Sequence, residues 1–192
     1  SSGARSSMNS KIDYSLYLCT DRGLMSSATI EENVEAALKG GVTVVQLREK
    51  DCASSVFYAL GLRVKALTSQ YGVPLIINDR LDIALAVKAD GVHVGQHDLP
   101  CKVVKSIVGD SMLVGVSASN LQEAVQAERD GADYLGVGAV FSTSTKADAM
   151  PVSYETLQAI CRAVSIPVVA IGGIQRENLL SLAGSGVDGV AL

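Results

Sequence analysis

The chain of 192 residues has no tryptophan, and aromatic side chains make up only 4% of it. That removes the row of stacking platforms on which single-stranded nucleic acid is bound. There are 16 Lys and Arg against 20 Asp and Glu, a formal net charge of −4, and the basic residues gather into no long run. The electrostatic footprint of a nucleic-acid binder is therefore missing. No apolar stretch approaches the ~18 residues needed to cross a bilayer. The opening SSGARSSMNSKIDYS has no apolar segment and does not read as a secretory signal. Cys19, Cys52, Cys101 and Cys161 are scattered and form no CxxC or CxxH unit. They read as reduced packing thiols, which fits a cytoplasmic protein with no nucleic-acid and no membrane partner.

What is present is hydrophobic: 48% of the residues are apolar, and mean hydropathy is +0.29. Such a composition excludes intrinsic disorder, and this length predicts one domain with a full core. We read residues 1–10 as a disordered N-terminal extension or cloning scar and 11–192 as that domain. Apolar runs of four to six residues recur at Leu16 to Cys19, Val42 to Val45, Val73 to Ile77, Met112 to Val116, Tyr134 to Val137 and Ile166 to Ile171. Shorter runs lie at Val92 to Val94 and Val187 to Leu192, giving eight candidate strands. The runs are nearly continuous, as strands buried on both faces of a parallel sheet are.

Helical spacings fill the intervals. Ile30, Val34, Ala37 and Leu38 form one stripe, Val56, Leu60, Val64 and Leu67 a second, and Leu157, Ile160, Cys161 and Val164 a third. Weaker amphipathic segments cover 80–89, 100–108, 120–130 and 176–184. Alternation of strand and helix implies a parallel sheet with right-handed crossovers. A glycine precedes a strand in GGVTVVQL, ADGVHVGQ, DGADYLGV and SGVDGVAL, and Gly41, Gly91, Gly131 and Gly186 lie 50, 40 and 55 residues apart. Four double units predict a closed α/β (β/α)8 TIM barrel. The open doubly wound alternative expects GxGxxG after its first strand, and Thr20-Asp21-Arg22-Gly23 does not supply it.

In such a barrel the chemistry belongs where strands end, and the strand ends are where the polar clusters fall. Gln46, Arg48 and Lys50 are spaced two apart, so an extended chain turns them to one side. Arg offers paired donors to phosphate oxygens and Lys a mobile point charge. Alone, the Arg-x-Lys pair reads better as a solvated strand exit with salt-bridged charges. Asp79 and Asp98 end strands three and four, and adjacent strands lie ~4.8 Å apart, so the pair is close enough to share a hard cation such as Mg²⁺. Singly, each reads as a helix cap; together, beside two cations, they favour a metal–pyrophosphate site. His93 sits on an apolar strand and reads as a hydrogen-bonded core histidine, and a zinc site with His97 is disfavoured because the segment between them is not helical. The long connection from Gly138 to Val152 holds Thr143, Thr145 and Lys146 and has the length of a binding loop. Gly172-Gly173 offers bare amides to a phosphate.

These residues bring a family into view. LYLCTD at 16–21, QLREK at 46–50, INDRLDIAL at 77–85, GVHVGQHDLP at 91–100, GVSAS at 115–119, GADYLGVGAVFSTSTK at 131–146 and AIGGI at 170–174 resemble thiamin phosphate synthase, in order and with family-like spacing. The resemblance implies a transferase that joins a hydroxymethylpyrimidine pyrophosphate to a thiazole phosphate. The implied chemistry is dissociative: pyrophosphate leaves, a pyrimidine-stabilised carbocation forms, and the thiazole nitrogen captures it. It also implies roles. Arg48 and Lys50 hold the leaving pyrophosphate, joined by Ser117 and Lys146; Gln46 and Asn78 lie on the substrate; Asp79 and Asp98 ligate Mg²⁺. Thr143 and Thr145 line the thiazole phosphate, to which Gly173 gives an amide. Ser142 stands where the family often has proline, and His97 where many members are acidic. Family members also continue past the position of Leu192 into a phosphate loop and closing helix, so the resemblance implies a barrel short of that final segment.

Two other functions share this fold. One is an isomerase like the thiazole tautomerase, which needs a positioned acid/base and no metal; it gives QLREK and the paired aspartates no purpose. The other is a non-catalytic thiamin-phosphate-binding domain. Composition leaves open a homo-oligomer or a fusion to another thiamin-pathway domain.

Overall fold

A computed structural model of the chain describes residues 12–22, 29–141 and 151–192; the expected extension over 1–10 lies outside them. Among the described residues eight parallel strands close into a barrel in chain order. They are β1 (Leu16–Cys19), β2 (Val44–Leu47), β3 (Leu75–Asn78), β4 (Gly91–Val94), β5 (Leu113–Ala118), β6 (Tyr134–Val137), β7 (Val168–Ala170) and β8 (Gly189–Ala191). Helices follow the first six: α1 (Ile30–Lys39), α2 (Ser54–Gln70), α3 (Leu81–Ala86), α4 (Cys101–Val108), α5 (Leu121–Arg129) and α6 (Tyr154–Ala163). The expected (β/α)8 barrel is the observed architecture. The helix expected over 176–184 is instead one 3-10 turn, Leu179–Leu182. Before it, the Asn178 side chain bonds back to the Gly173 carbonyl and the Gln175 N–H. After it, Gly184 and Gly186 take φ of 80° and 95°, so the α pitch is broken on both sides.

Strand alternation sorts the core into two layers. Val45, Leu47, Ile77, Val92, Val114, Leu135 and Val137 face the helices, while Tyr17, Val44, Ile76, Leu113, Tyr134 and Val169 fill the barrel interior. On α2 Leu60 and Val64 of the expected stripe are buried, while its ends shift by one position, to Phe57 and Thr68, and Val56 is exposed.

The four-fold echo has a physical basis at the amino rim. In each odd strand the N–H of the first or second residue donates to a side chain just ahead of the next strand. Leu16 donates to Thr43 Oγ1 at 3.0 Å, Leu75 to Asp90 Oδ2 at 2.8 Å, Val114 to Asp133 Oδ2 at 2.8 Å and Val168 to Asp188 Oδ2 at 2.9 Å. In every case the backbone N–H of the clamping residue donates back to the carbonyl of the residue it holds, at 2.7 to 2.9 Å. Two residues ahead of each clamp the chain turns through positive φ, at Gly41 (98°), Lys88 (56°), Gly131 (99°) and Gly186 (95°). The second repeat is thus anchored by Lys88. Gly91, taken as its anchor from sequence, lies inside β4, where a Cβ would press on Ile76 and the Leu113 backbone.

Lys88 holds with a side chain a conformation its three counterparts reach with glycine. Left-handed backbone costs a non-glycine residue ~1–2 kcal/mol, against a smaller entropic gain from avoiding glycine. Lys88→Gly is expected to stabilise the fold by about 0.5–1 kcal/mol, and Gly131→Ala to destabilise it. Thermal melts of the two variants against the parent check both signs.

Candidate active site

All eight strands run the same way, so their carboxyl ends share one rim, and the polar strand ends converge there. On β2, Gln46 points into the barrel and is only 3% exposed. Its Nε2 donates to the Tyr17 hydroxyl at 2.7 Å, and the Cys19 thiol lies 3.5 Å from its Oε1. Past the strand end, the Arg48 N–H donates to Thr20 Oγ1. Glu49, between the two cations, is drawn aside. Arg22 grips its carboxylate with Nε at 2.9 Å from both oxygens and a terminal nitrogen at 2.6 Å. Among the described residues Arg48 and Lys50 make no ion pair, so the positive charge of this exit stays available to an anion.

Asp79 and Asp98 meet on the same rim. Asp79 follows β3 with a φ of 68°, its N–H bonded to the His93 carbonyl at 2.7 Å. A non-glycine residue held there is strained backbone of the kind found at functional sites. Its carboxyl is held above the usual range, first by burial and then by a hydrogen bond and like charge from Asp98, with Lys50 and Arg80 pulling the other way. Neither aspartate is a helix cap: the N-cap positions of α3 and α4 are Arg80 and Pro100, with no side-chain cap bond. Asp98 Oδ2 instead accepts the Gly95 N–H at 2.7 Å, folding the β4 exit back towards Asp79.

No cluster of three or more His, Cys, Asp or Glu is placed to hold a metal among the described residues. Two adjoining carboxylates, with Asp98 raising the proton affinity of Asp79, are nonetheless a fit for a hard divalent cation completed by substrate oxygens and water. Lys50, close enough to Asp79 to stabilise its charge, ties this pair to the β2 exit.

Below the rim, His93 is 3% exposed, and its ring nitrogens are both engaged. Nδ1 lies 2.9 Å from the Tyr134 hydroxyl and Nε2 2.8 Å from Ser117 Oγ. Burial pushes the imidazole down to about 4, with Asp98 opposing, so the ring is neutral at pH 7. This matches a bonded core histidine, and His97 is exposed outside the barrel. Tyr17 and Tyr134, whose hydroxyls are 2.5 Å apart, complete the interior. Sequence reasoning missed both, since a tyrosine in an apolar run reads as core. For Tyr134 the available signal was the glycine beside its ring, Gly115, its partner on β5; Tyr17 has no such mark.

Asn78 ends β3, and its carbonyl accepts the Arg80 N–H. Gly172 and Gly173 follow β7 with φ of 101° and 64°. Among the described residues neither N–H donates to a protein acceptor, which leaves both amides open to an anion. A Cβ at Gly173 would lie 3.0 Å from Phe141. Thr143, Thr145 and Lys146 lie outside the described residues.

Comparison with known proteins agrees with this geometry. The sequence profile of the thiamine monophosphate synthase family matches residues 16–192. The thiamine-phosphate synthase of Ruminiclostridium cellulolyticum is 60% identical over 185 residues, covering 96% of this chain and 88% of that protein. The thiamine-phosphate synthase of Methanobrevibacter smithii is 52% identical over 181 residues, covering 94% and 86%. Among solved structures, thiamine phosphate pyrophosphorylase from Pyrococcus furiosus superposes with a TM-score of 0.87 at 42% identity, covering 94% of this chain and 86% of that one.

Asp98→Asn keeps an acceptor for the Gly95 N–H while removing the charge that faces Asp79. In Mg²⁺-free buffer the variant is expected to melt above the parent at pH 7. Because Asp79 carries a raised proton affinity, lower pH protonates it and relieves the parent, so the gap closes on acidification. Melts across a pH series measure this, and a variant melting lower at pH 7 contradicts the like-charge account.

Proposed function

The chain belongs to the thiamine monophosphate synthase family, and from that premise we propose that the carboxyl rim of the barrel carries out its reaction. It is a transferase that joins a hydroxymethylpyrimidine pyrophosphate to a hydroxyethylthiazole phosphate, giving thiamin phosphate and pyrophosphate. The bond between the pyrimidine methylene and its pyrophosphate oxygen breaks, with both electrons leaving on oxygen. The resulting cation is stabilised by the pyrimidine ring and captured by the thiazole nitrogen. Both substrates are phosphate esters, charged at neutral pH and unable to diffuse through a bilayer, so we assign the work to the cytoplasm. No helix among the described residues is long and apolar enough to cross a membrane.

Heterolysis of that bond needs the leaving charge met as it develops. Arg48 and Lys50 are the groups assigned to the pyrophosphate, and the pairing of Glu49 with Arg22 supports this by keeping that carboxylate off both cations. Ser117 adds a hydroxyl from β5. Gln46 and Asn78, at the ends of β2 and β3, are assigned to the pyrimidine side. Asp79 and Asp98 would hold Mg²⁺, which when bound supplies two further positive charges against the departing anion. Lys146 is assigned to the pyrophosphate, Thr143 and Thr145 to the thiazole phosphate, by the resemblance alone. Gly173 is assigned to that phosphate with the open amides after β7 in support.

The observation that carries the reading is the meeting of the Asp79 and Asp98 carboxyls beside Lys50. It favours the transferase over an isomerase, for which a pair of acids held by a cation has no use. Arg48→Ala is expected to lower the rate of pyrophosphate release by roughly 10²-fold, the scale of one lost charge-stabilising group. Chelation of divalent cations is expected to abolish release and Mg²⁺ to restore it. A coupled pyrophosphate assay on the full chain reads both, and undiminished release in either arm counts against the site.

A further inference from the structure

The barrel interior is threaded by an unbroken series of hydrogen bonds from β2 to β5. It runs from Gln46 Nε2 to the Tyr17 hydroxyl (2.7 Å), to the Tyr134 hydroxyl (2.5 Å), to His93 Nδ1 (2.9 Å), and from His93 Nε2 to Ser117 Oγ (2.8 Å). The four inner members are buried, and Ser117 alone is half-exposed. Room for the series is made by glycine: a Cβ at Gly115 would overlap the Tyr134 ring, and one at Gly136 would crowd His93 Cε1. The departing pyrophosphate takes up its proton from water at the open rim, so the transfer asks for no proton path through the barrel. A series of this kind does something else: it fixes which way every hydroxyl points.

Its direction follows from the Gln46 end. The amide carbonyl faces the Cys19 thiol, which has a hydrogen to give, so the NH₂ faces Tyr17. The Tyr17 oxygen, having accepted, passes its hydrogen to Tyr134, and Tyr134 passes its own to Nδ1. Both phenols are held above their ordinary range by burial and keep their hydrogens. A neutral imidazole accepting at Nδ1 carries its hydrogen on Nε2 and donates it to Ser117 Oγ. The Ser117 oxygen is then an acceptor on its inner side, and its hydrogen is turned outwards to the rim.

We propose that Tyr134 and His93 are positioning residues for the transfer, holding the Ser117 hydroxyl as a donor aimed at the leaving pyrophosphate. This rests on the assignment of Ser117 to that anion. With the series reversed, Ser117 would spend its hydrogen on Nε2 and present only lone pairs to a polyanion. The charged and titratable neighbours include Asp98, which acts on the imidazole from the rim, Cys19, which acts on both phenols, and Tyr14, whose ring is tilted against Tyr134 with centroids 5.0 Å apart.

The chain has two histidines, so ¹⁵N-histidine labelling of the full protein resolves His93 from His97. At pH 7 His93 is expected as the neutral tautomer protonated at Nε2; finding it protonated at Nδ1, or at both nitrogens, overturns the proposal without any variant being made. In Tyr134→Phe, which keeps the ring and loses the hydroxyl, the tautomers are expected to mix. Its kcat for pyrophosphate release should fall roughly 10-fold, on the scale of one hydrogen bond to a charged group, at unchanged KM for the thiazole phosphate. Because Tyr134 acts through Ser117, the double variant Ser117→Ala/Tyr134→Phe should be no slower than Ser117→Ala alone. Multiplied losses overturn the relay while leaving Ser117 as a pyrophosphate contact. If Ser117→Ala works at the parent rate, the assignment of Ser117 fails and the relay's purpose fails with it, whatever the tautomer.

Discussion

Each odd strand enters the barrel with the N–H of its first or second residue held by a side chain at the foot of the next strand, and each clamp returns a backbone bond of its own. The register of the neighbouring pair is fixed at that point, and a slip of one residue would turn every inward side chain outwards. Everything at the opposite rim inherits this. The register set by Asp90 pairs Asn78 with His93, which brings Asp79 and the β4 exit together. The register set by Asp133 pairs Gly115 with Tyr134, the one neighbour on which that ring can lie. Asp133 is itself almost wholly buried and lies 3.3 Å from Lys105. Its charge is thus matched where it holds the backbone, and the acceptor is not withdrawn by solvent.

Much of this was legible in the chain. Four double units, the parallel sheet and the clustering of polar residues at strand ends follow from patterns that a buried sheet imposes on any sequence. The second unit was read from the wrong glycine because Lys88 adopts the left-handed turn with a side chain, and composition carries no mark of that. The paired aspartates were legible as residues but not as a pair. Whether Asp79 caps a helix or faces Asp98 depends on a φ of 68° that no local spacing announces. The alternation of Gln46, Arg48 and Lys50 held only as far as β2 itself, which ends at Leu47. Gln46 is consequently committed to the interior and the two cations to the exit. Tyr17 and Tyr134 passed as apolar because their hydroxyls are satisfied by partners more than a hundred residues apart in sequence, or by a histidine on another strand.

The distribution of charge inside the barrel follows one rule. Formal charges are confined to the two rims, where water or a counter-charge is at hand, and the interior is polar but neutral. A protonated His93 would place an uncompensated cation beneath the site; burial prevents this by lowering its proton affinity against the pull of Asp98. A neutral imidazole can accept on one nitrogen and donate on the other, which an imidazolium cannot. The same burial that empties the interior of charge therefore gives the hydrogen-bond series its direction.

A polar thread through a barrel core is an expensive way to fill space, since any member left without a partner costs its full desolvation. Aliphatic side chains of the same volume would pack at least as well. The arrangement here avoids the penalty by completeness: among the described residues the single buried side-chain atom without a hydrogen bond is Ser185 Oγ, at the far side of the 3-10 turn. What completeness demands is space, and two inward positions, Gly115 and Gly136, are reduced to glycine where a Cβ would overlap the Tyr134 ring or crowd His93. Glycine weakens a strand. A barrel selected for stability alone would have no reason to thin the β5 and β6 walls together beside one tyrosine and one histidine, and the placing of both glycines around Ser117 is what a demand from the rim would produce.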